Sequence, residues 1–462
     1  MSRVLFAGRT RRIAALFTAL AVCASCAVNP RVEPPEATPP IVVRERPLPP
    51  DASDRLLRDA LDVYRNDPER AALIDAVRRY SSHPLTTGNR VSVLVDGPET
   101  YAAIERDLAA AHRHIHLETF IFGADDVGRR FAALLAQKRR EGVEVRVLYD
   151  SVGSRETPQQ FFEELRRDGV EVREFRPTNP VETPAVWDLH NRDHRKIIVV
   201  DGAVGFTGGI NIDSTYESAS TSKPGPKRGL EDGWRDTHIR IEGPVVAQLQ
   251  QLFVDSWNEA GPQMSFDAPD DYFPELRPQG DDLVTIVAND SESDDRSLYG
   301  AYLAAFRGSS ERLWITHAYF APNDELMNAM MQAAQRGVDV RLIVPAFTDS
   351  KIVLEATRAT YARLLESGVR IYELRDALLH AKSVVVDGVV SIVGSANLDM
   401  RSFLHNDEVN AIVIGADFAE RMEAVFAQDQ AESRVVELSR WERRSLWQRL
   451  KERVVSLFGY WI

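Results

Sequence analysis

Two copies of one short pattern, HxKxxxxD, lie 186 positions apart (194 and 380) in a chain of 462 residues. Each copy supplies a histidine, a lysine and an aspartate, and the six residues are His194, Lys196, Asp201, His380, Lys382 and Asp387. A neutral imidazole can attack phosphorus, a protonated one can donate to a departing alkoxide, and ammonium groups stabilise charge on phosphoryl oxygens. One such pattern is a weak signal, but a repeat in register is a strong one. The paired motifs therefore predict a site that handles a phosphodiester between two related halves.

A glycine-led turn that ends in asparagine follows each motif at the same offset. The two turns are Gly208-Gly209-Ile210-Asn211 and Gly394-Ser395-Ala396-Asn397. We predict that the amides of Asn211 and Asn397 bind phosphate together with Lys196 and Lys382, because all four donate hydrogen bonds. Glycine has no Cβ atom, so we expect these turns to let the backbone approach the phosphate closely.

Each motif opens an apolar run that predicts a buried strand, with the histidine and lysine at its start. Residues two apart on a strand face the same side, so each half presents one imidazole and one ammonium together. A reacting histidine needs an acceptor on its other ring nitrogen to fix the tautomer. Asp236 and Glu408 open corresponding later strands, and we predict that they orient the histidines. The alternative for both is a solvated acid at a strand end.

The motif aspartates, Asp201 and Asp387, belong to the candidate catalytic set by their place in the pattern. Each ends its strand directly before a glycine, at Gly202 and Gly388. Aspartate followed by glycine is typical of turns. We therefore interpret both carboxylates as parts of the scaffold rather than as reacting groups.

The body of the chain predicts an α/β fold, because β-branched runs alternate with amphipathic segments from about Val91 onward. We predict strands at 114–122, 143–149, 170–175, 197–201 and 237–241, and again at 313–320, 338–344, 369–374, 384–387 and 409–414. Predicted helices cover 131–140, 245–258, 324–336 and 352–366. This order indicates two pseudo-symmetric α/β/α halves, residues 56–278 and 279–435, with mixed sheets and one shared active-site cleft.

The composition limits the partners. The chain carries a net charge of −13, whereas a nonspecific nucleic-acid binder needs a basic surface. Nucleic acid is therefore not an expected partner. The sequence gives no indication of an oligomeric state.

The N-terminal segment predicts a signal for export across the inner membrane. Basic residues precede a short apolar run, so residues 1–28 are interpreted as a signal peptide or a membrane anchor. Small residues before Cys26 make this cysteine a candidate for lipidation, and the alternatives are an uncleaved anchor or a buried helix. Residues 29–55 are rich in proline and predict an extended linker. This arrangement places the body in the periplasm, tethered to a bacterial inner membrane.

The C-terminal segment, residues 436–462, predicts a basic amphipathic helix. Apolar and aromatic residues from Leu446 to Trp461 recur at helical spacing, with arginine and lysine beside them. Such a helix is suited to a membrane surface. The alternative is a helix that docks on the folded body.

The paired motifs and their trailing turns resemble the phospholipase D superfamily. Bacterial cardiolipin synthases are the most similar members, on the strings Leu117-Glu118-Thr119-Phe120, Asn191-Arg192-Asp193-His194-Arg195-Lys196 and Leu379-His380-Ala381-Lys382. The resemblance implies phosphatidyl transfer from phosphatidylglycerol to a second lipid or alcohol, with no metal and no cofactor. It also implies that His194 is the nucleophile and His380 the acid, although the symmetry of the motifs leaves that order open.

Three other functions use the same sequence features. A phospholipase D that transfers to water would share every catalytic residue and would release phosphatidic acid. A nuclease is disfavoured by the negative net charge and by the predicted export signal. A non-catalytic lipid-binding protein is disfavoured by two intact motifs.

Overall fold

The computed structural model describes residues 42–43, 46–47, 66–81, 83–178, 190–218, 233–264, 272–293, 295–445 and 447–448. These ranges leave out the predicted N-terminal signal segment with Cys26 and almost all of the proline-rich linker. They also leave out the C-terminal segment from residue 449 onward. Within the described part, the four-residue helix Leu438–Trp441 and residues 447–448, which are also helical, fall in the predicted C-terminal helix. No helix in these ranges is both long enough and apolar enough to cross a membrane.

The elements of the first half, up to residue 259, are named in chain order. They are β1 (Val42–Val43), β2 (Arg46–Pro47), α1 (Pro68–Arg78), β3 (Thr86–Val95), α2 (Asp96–Ala109), β4 (His114–Thr119), α3 (Asp126–Arg140), β5 (Glu144–Asp150), α4 (Gln159–Arg167), β6 (Glu171–Phe175), β7 (Arg192–Asp193), β8 (Ile197–Val200), β9 (Val204–Gly208), β10 (Trp234–Arg235), β11 (Thr237–Glu242) and α5 (Val246–Glu259).

The second half continues the same numbering. Its elements are β12 (Asp282–Asn289), α6 (Ser297–Gly308), β13 (Arg312–His317), β14 (Phe320–Ala321), α7 (Asp324–Gln335), β15 (Asp339–Pro345), α8 (Lys351–Glu366), β16 (Arg370–Leu374), β17 (Leu378–Leu379), β18 (Lys382–Val386), β19 (Val390–Gly394), β20 (Leu398–Asp399), α9 (Met400–Leu404), β21 (Asn406–Ile414), α10 (Ala416–Ala431), β22 (Ser433–Val435) and α11 (Leu438–Trp441).

One large mixed sheet runs through both halves. The strand order is β6-β5-β4-β8-β9-β11-β3 in the first half and β16-β15-β13-β18-β19-β21-β12 in the second. The first three strands of each series are parallel and the others antiparallel, and β3 pairs with β12 at the centre. The two series therefore match strand for strand across the central pair, and the prediction of a pseudo-symmetric α/β fold is confirmed.

The motif strands lie at the centre of each half because they are apolar on both faces. All four residues of β8 are buried, and so are all five of β18. On one face of the sheet, α5 and α10 pack in a core that both halves share, with Ile197, Val199, Leu249, Val385 and Met422 as members. Separate cores lie on the opposite face of each half. A strand covered on both faces is fixed in register, since a one-residue slip would exchange its faces.

Helix α1 belongs to the second half in space, although it lies within residues 56–278 in sequence. Its N-cap, Asp67, accepts a hydrogen bond from the Arg70 amide (3.0 Å). Leu73, Ile74 and Val77 are buried in the core of the second half. Arg70 also donates to the carbonyl of Asp387 (3.0 Å). The boundary near residue 279 therefore divides the sequence but not the packing, because the apolar face of α1 is covered by α6.

The motif aspartates end their strands in left-handed turns, each with φ of 52°. The carboxylate of Asp201 accepts hydrogen bonds from the amides of residues 112 to 114, at 2.7 to 3.0 Å. Asp387 accepts from the amides of residues 310 to 312, at 2.8 to 2.9 Å. Each carboxylate thus fixes the backbone that leads into the neighbouring strand, β4 or β13. It lies at the opposite end of its strand from the motif histidine.

We expect Asp387→Ala to lower the free energy of unfolding by about 2 to 4 kcal/mol, because it removes the acceptor of several charge-assisted hydrogen bonds. Thermal unfolding should show a melting temperature several degrees below the unchanged chain. Asp387→Asn, which keeps one acceptor oxygen, should lose less. The turnover of the folded fraction should persist in both variants. Lost turnover with an unchanged melting temperature would contradict the scaffold role.

Candidate active site

The motif histidines are placed by two short strand pairs that connect the halves. Strand β7 runs parallel to the start of β21, and the amide of His194 donates to the carbonyl of Asp407 (2.9 Å). Strand β10 runs parallel to β17, and the amide of His380 donates to the carbonyl of Arg235 (2.8 Å). The residue after each acceptor is a predicted orienting carboxylate. Each histidine is therefore held against the carboxylate of the opposite half.

His194 contacts Glu408. Its Nδ1 lies 3.0 and 2.9 Å from the two carboxylate oxygens. Glu408 also accepts from the Ser395 hydroxyl (2.5 Å) and from the Asn406 amide (3.1 Å). The backbone of Glu408 is fixed as well, because its amide donates to the Asn289 side chain (2.9 Å). The acceptor is therefore held by four partners before any ligand binds.

His380 contacts Asp236 in the corresponding way. Its Nδ1 lies 2.7 Å from Oδ2 of the carboxylate, and Oδ1 accepts from the Thr237 amide (2.7 Å). Lys382 Nζ and the Tyr216 hydroxyl also approach Nδ1, at 2.9 and 3.4 Å. A single Nδ1–H is best donated to the carboxylate, because a charged acceptor makes the stronger hydrogen bond. In that tautomer Nε2 carries the lone pair. No described residue hydrogen-bonds to Nε2 of either histidine.

The motif lysines lie beside the histidines and are also buried. Lys196 Nζ donates to the carbonyl of His194 (2.6 Å), and Lys382 Nζ donates to the carbonyl of His380. The ring of Phe120 faces both Lys196 Nζ (5.3 Å to the centroid) and the His194 ring (5.0 Å between centroids). The Lys382 ammonium group also lowers the pKa of Lys196. The lysines of both halves therefore belong to a single cluster.

The cluster favours neutral imidazoles and ionised carboxylates. Burial lowers the pKa of His194 to about 4, and burial together with Lys382 lowers the pKa of His380. Burial opposes ionisation of Glu408, but its interactions with His194, Lys196 and Ser395 outweigh that effect and lower its pKa to about 2. Burial also opposes ionisation of Asp236, but its interactions with His380 and Lys382 outweigh that effect and lower its pKa. A neutral imidazole whose Nδ1–H is held by a carboxylate is the form that attacks an electrophile.

Burial also lowers the pKa of Lys196 to about 7 and that of Lys382 to about 8. For both ammonium groups, the cost of burial outweighs the attraction of Glu408 and Asp236. An anion between them would relieve this cost and would raise both pKa values. The free site therefore has the charge pattern of a phosphate receptor.

The two asparagines differ in the structure. Asn211 uses its side chain within the protein, because Oδ1 accepts from the Ile121 amide (3.1 Å) and Nδ2 donates to the Tyr216 hydroxyl (2.9 Å). The side-chain amide of Asn397 has no hydrogen-bond partner among the described residues, and its oxygen is buried. Asn397 is therefore available to a ligand, whereas Asn211 holds Tyr216 against His380.

The glycines before the asparagines lie against neighbouring side chains. A Cβ atom at Gly209 would lie 2.2 Å from Asp236 Oδ1, and one at Gly394 would lie 2.1 Å from Asn410 Oδ1. Both glycines thus make room for a neighbouring side chain, and their approach to a phosphate stays a prediction. Ser395 occupies the position of Gly209 in the second half and donates to Glu408 instead.

Several residues that contact the cluster were missed from the sequence. The rings of Tyr216 and Trp234 pack on His380, with centroids 5.6 and 5.1 Å away. Tyr216 lies in a short 3-10 helix, Ser214–Tyr216, that follows Asn211. Ser395 lies in the turn that ends in Asn397, at the position that Gly209 occupies in the first half. The hydroxyl in place of a glycine was the feature of the sequence that could have indicated its role. Nothing in the sequence marked Tyr216 or Trp234.

The structure brings six of the predicted residues together, namely His194, His380, Lys196, Lys382, Asp236 and Glu408. Asn211 and Asn397 border this cluster. Asp201 and Asp387 lie outside it, at the far ends of their strands. Among the described residues, no group of three or more histidine, cysteine, aspartate or glutamate side chains is arranged to hold a metal ion.

Comparison with known proteins identifies the family. The family described as cardiolipin synthase, PLD-like domain, matches residues 104–221 and 302–430, one segment in each half. The chain belongs to this family. It is 36% identical to a cardiolipin synthase of Geobacillus kaustophilus over 394 residues, which cover 85% of this chain and 76% of the relative. It is 35% identical to a cardiolipin synthase of Listeria monocytogenes over 376 residues, which cover 81% and 76%.

A solved structure shares the fold of this family member. The phosphatidylserine synthase of Haemophilus influenzae superimposes with a TM-score of 0.60 at 15% identity, over 85% of this chain and 97% of that one. At this identity the comparison supports the fold alone. The prediction of a phospholipase D-like architecture is confirmed.

We expect Gly209→Ala to reduce turnover roughly 100-fold, because the new methyl group would displace the Asp236 carboxylate that holds His380, and misplacement by about 1 Å has that effect. Gly415→Ala is a matched control, since the nearest atom to a Cβ there is 3.6 Å away. Initial rates on a chromogenic phosphodiester would compare the two variants. Equal rates in Gly209→Ala and the unchanged chain would contradict a requirement for this contact.

Proposed function

We propose that this protein is a phosphatidyltransferase of the cardiolipin synthase type. It joins phosphatidylglycerol to a second phospholipid or alcohol through a covalent phosphohistidine. The observation that carries the proposal is the pair of cross-half contacts, His194 with Glu408 and His380 with Asp236, around two buried lysines. Membership of the cardiolipin synthase family supports a phospholipid as the substrate.

The first step transfers the phosphatidyl group to the protein. Nε2 of His194 attacks phosphorus, a P–N bond forms, and the P–O bond to the glycerol head group breaks. His380, protonated in the complex, gives its proton to the departing oxygen. Burial lowers the pKa of His380 in the free site, so the negative charge of the bound phosphodiester is needed to raise it. Substrate binding and protonation of the acid are therefore coupled.

The second step reverses these roles. The acceptor hydroxyl attacks phosphorus and gives its proton to His380, while the P–N bond to His194 breaks. The protein returns to its starting state, and the products are the new phosphodiester and the released alcohol. Lys196, Lys382 and Asn397 stabilise charge on the phosphoryl oxygens in both transition states. Glu408 and Asp236 hold the tautomers of the two histidines.

The product test uses the full chain with phosphatidylglycerol vesicles, with and without phosphatidylethanolamine, and mass spectrometry. We expect cardiolipin and released glycerol. His194→Ala and His380→Ala should each lower turnover at least 100-fold, since each removes a proton-transfer or nucleophilic group. His112→Ala removes an exposed histidine outside the cluster and should leave turnover unchanged.

The covalent intermediate separates the two histidines. A phosphorylated protein should be trapped from a substrate with a good leaving group in His380→Ala but not in His194→Ala. The reverse result would exchange the two roles. Phosphatidic acid as the only product of the unchanged chain would replace transfer by hydrolysis.

We also propose that the protein is tethered to a bacterial inner membrane with its body in the periplasm. Basic residues and a short apolar run before Cys26, followed by the proline-rich linker, support this location. A membrane-bound body would reach lipid substrates without leaving the surface. The C-terminal segment, with apolar residues at helical spacing beside arginine and lysine, would add a second contact with the membrane.

Labelling cells with a radioactive fatty acid tests the N-terminal tether. We expect the chain to carry the label and Cys26→Ser to lose it, because the acyl chain is attached through this thiol. Cys23→Ser is the matched control and should keep the label. An unlabelled chain that stays in the membrane fraction would favour an uncleaved anchor over a lipoprotein.

A further inference from the structure

A buried network of charged side chains lies directly behind His194, and none of its members is a reacting group. Four acids from four different strands meet there around one arginine. They are Glu118 on β4, Asp150 on β5, Asp193 on β7 and Asp407 on β21, with Arg195 at the centre, and all five are buried. Buried charges are costly unless they are paired and hydrogen-bonded. Five of them beside one histidine therefore indicate a role at the site.

The network fixes the backbone on both sides of His194. The amide of Asp193 donates to Oδ2 of Asp150 (3.1 Å), and the amide of His194 donates to the carbonyl of Asp407 (2.9 Å). The amide of Arg195 donates back to Oδ1 of Asp193 (3.0 Å), which closes a turn around the histidine. Three successive amides are therefore bound, and the imidazole is carried by a segment that is held at each residue.

Arg195 connects this segment to the acid that orients His194. Its guanidinium donates to the carbonyl of Asn289 (2.6 Å), at the end of β12. The side-chain oxygen of Asn289 in turn accepts from the amide of Glu408 (2.9 Å). The same guanidinium donates to the hydroxyl of Ser256 on α5 (2.9 Å). The histidine and its carboxylate are thus held by one network.

Two acids of the network each have one oxygen without a donor. Oε1 of Glu118 accepts from the Ser256 hydroxyl (2.9 Å), and Oδ1 of Asp193 accepts from the Arg195 amide. The other oxygens, Oε2 of Glu118 and Oδ2 of Asp193, are buried and accept from no group in the described part of the chain. The two carboxyl groups hydrogen-bond to each other. Such a bond forms only when one carboxyl group carries a proton, so the pair holds one.

The surrounding charges favour a single proton on the pair. Burial raises the pKa of Glu118 to about 7, and burial together with Glu118 raises the pKa of Asp193 well above its ordinary value. Asp407 acts on both in the same direction, and Asp150 does so on Asp193, whereas Arg195 opposes the shift. Two adjacent buried carboxyl groups do not both ionise. The one negative charge that remains faces the arginine.

The second half has neutral side chains at the corresponding positions. Leu379 and Ala381 flank the second motif histidine, where an aspartate and an arginine flank the first. Thr316 takes the place of Glu118, because each lies opposite the residue that follows a motif lysine in the adjacent strand. The network therefore distinguishes the His194 side of the site from the side of the second histidine.

We propose that Glu118 and Asp193 share a single proton and, together with Arg195, position His194 as the nucleophile. The inference rests on the proposed phosphatidyl transfer. All three are positioning residues, because they act on the imidazole through its backbone and through the carboxylate that orients it. A fixed backbone keeps Nε2 in line with the phosphorus atom, where a displacement of about 1 Å costs roughly 100-fold in rate.

Substitutions of Glu118 test the positioning. The measurement is the rate of phosphohistidine formation, followed as the burst of product from a chromogenic phosphodiester with a good leaving group. Glu118→Ala should lower this rate roughly tenfold or more, because it leaves the Asp193 carboxylate buried without its partner. Glu118→Gln should stay within about twofold of the unchanged chain, since its amide donates to Asp193 as the protonated acid does.

Thr316→Val, at the corresponding position of the second half, is the matched control and should leave the burst rate unchanged. Ser256→Ala removes the hydroxyl that joins Glu118 to Arg195 in a helix that tolerates alanine. It should lower the rate several-fold and serves where Glu118→Ala does not fold. An unchanged rate in both Glu118→Ala and Ser256→Ala would overturn the positioning role. Equal losses in Glu118→Gln and Glu118→Ala would overturn the shared proton.

The pH dependence of unfolding tests the proton without any substrate. The raised pKa of Glu118 means that the folded chain keeps a proton that the unfolded chain releases. The unchanged chain should therefore lose stability relative to Glu118→Gln as the pH rises from about 5 to about 7. The melting temperature of Glu118→Gln should gain a few degrees on that of the unchanged chain over this range. A constant difference would contradict a shared proton.

The two experiments separate this inference from the proposed function. If the unchanged chain forms no phosphohistidine, then the proposed transfer fails, while the pH dependence of unfolding still tests the proton. If the phosphoryl group is trapped on His380 instead of His194, then the network does not position the nucleophile. Thermal unfolding of each variant shows whether a lowered burst rate reflects a damaged fold.

Discussion

The site depends on an exchange of carboxylates between the two halves. Each half supplies a histidine and also the acid that orients the histidine of the other half. Two short backbone pairings, β7 with β21 and β10 with β17, set this exchange, because each brings a motif histidine beside the residue that precedes an acid. Neither half alone contains a complete histidine–carboxylate pair. The duplication therefore yields one site rather than two.

Burial makes that exchange effective. Two imidazoles, two ammonium groups and two carboxylates lie within one cluster where solvent screens little. Their mutual interactions keep the carboxylates ionised and the imidazoles neutral, while burial lowers the pKa of both lysines. A phosphodiester is the ligand that completes this balance. A Cβ atom at Gly209 would collide with the Asp236 carboxylate, and the Ser395 hydroxyl donates to Glu408. At both positions the backbone therefore passes close to the acid.

The pseudo-symmetry ends at the mouth of the site. In the first half, the backbone of Phe122 bonds with the Ser154 and Thr157 hydroxyls and so joins the loops after β4 and β5 beside an open cleft. In the second half, a side-chain bond from Tyr319 to Asp349 joins the equivalent loops. The two halves therefore hold the same loops by different contacts.

The sequence by itself determined the α/β class, the duplication, the family and the residue types of the site. It could do so because a buried strand appears in the sequence as a run of apolar residues. The duplicated reacting residues appear as a spacing that occurs twice. Strands β3 and β12, which join the halves, were not predicted, although residues 91–95 and 283–288 contain the apolar and β-branched residues that are typical of strands. The pairing of His194 with Glu408 and of His380 with Asp236, the inward use of Asn211 and the contacts of Tyr216 and Trp234 were decided only by the tertiary structure. These contacts join residues that are distant in the chain, in most cases by more than 100 positions, so no local pattern specifies them.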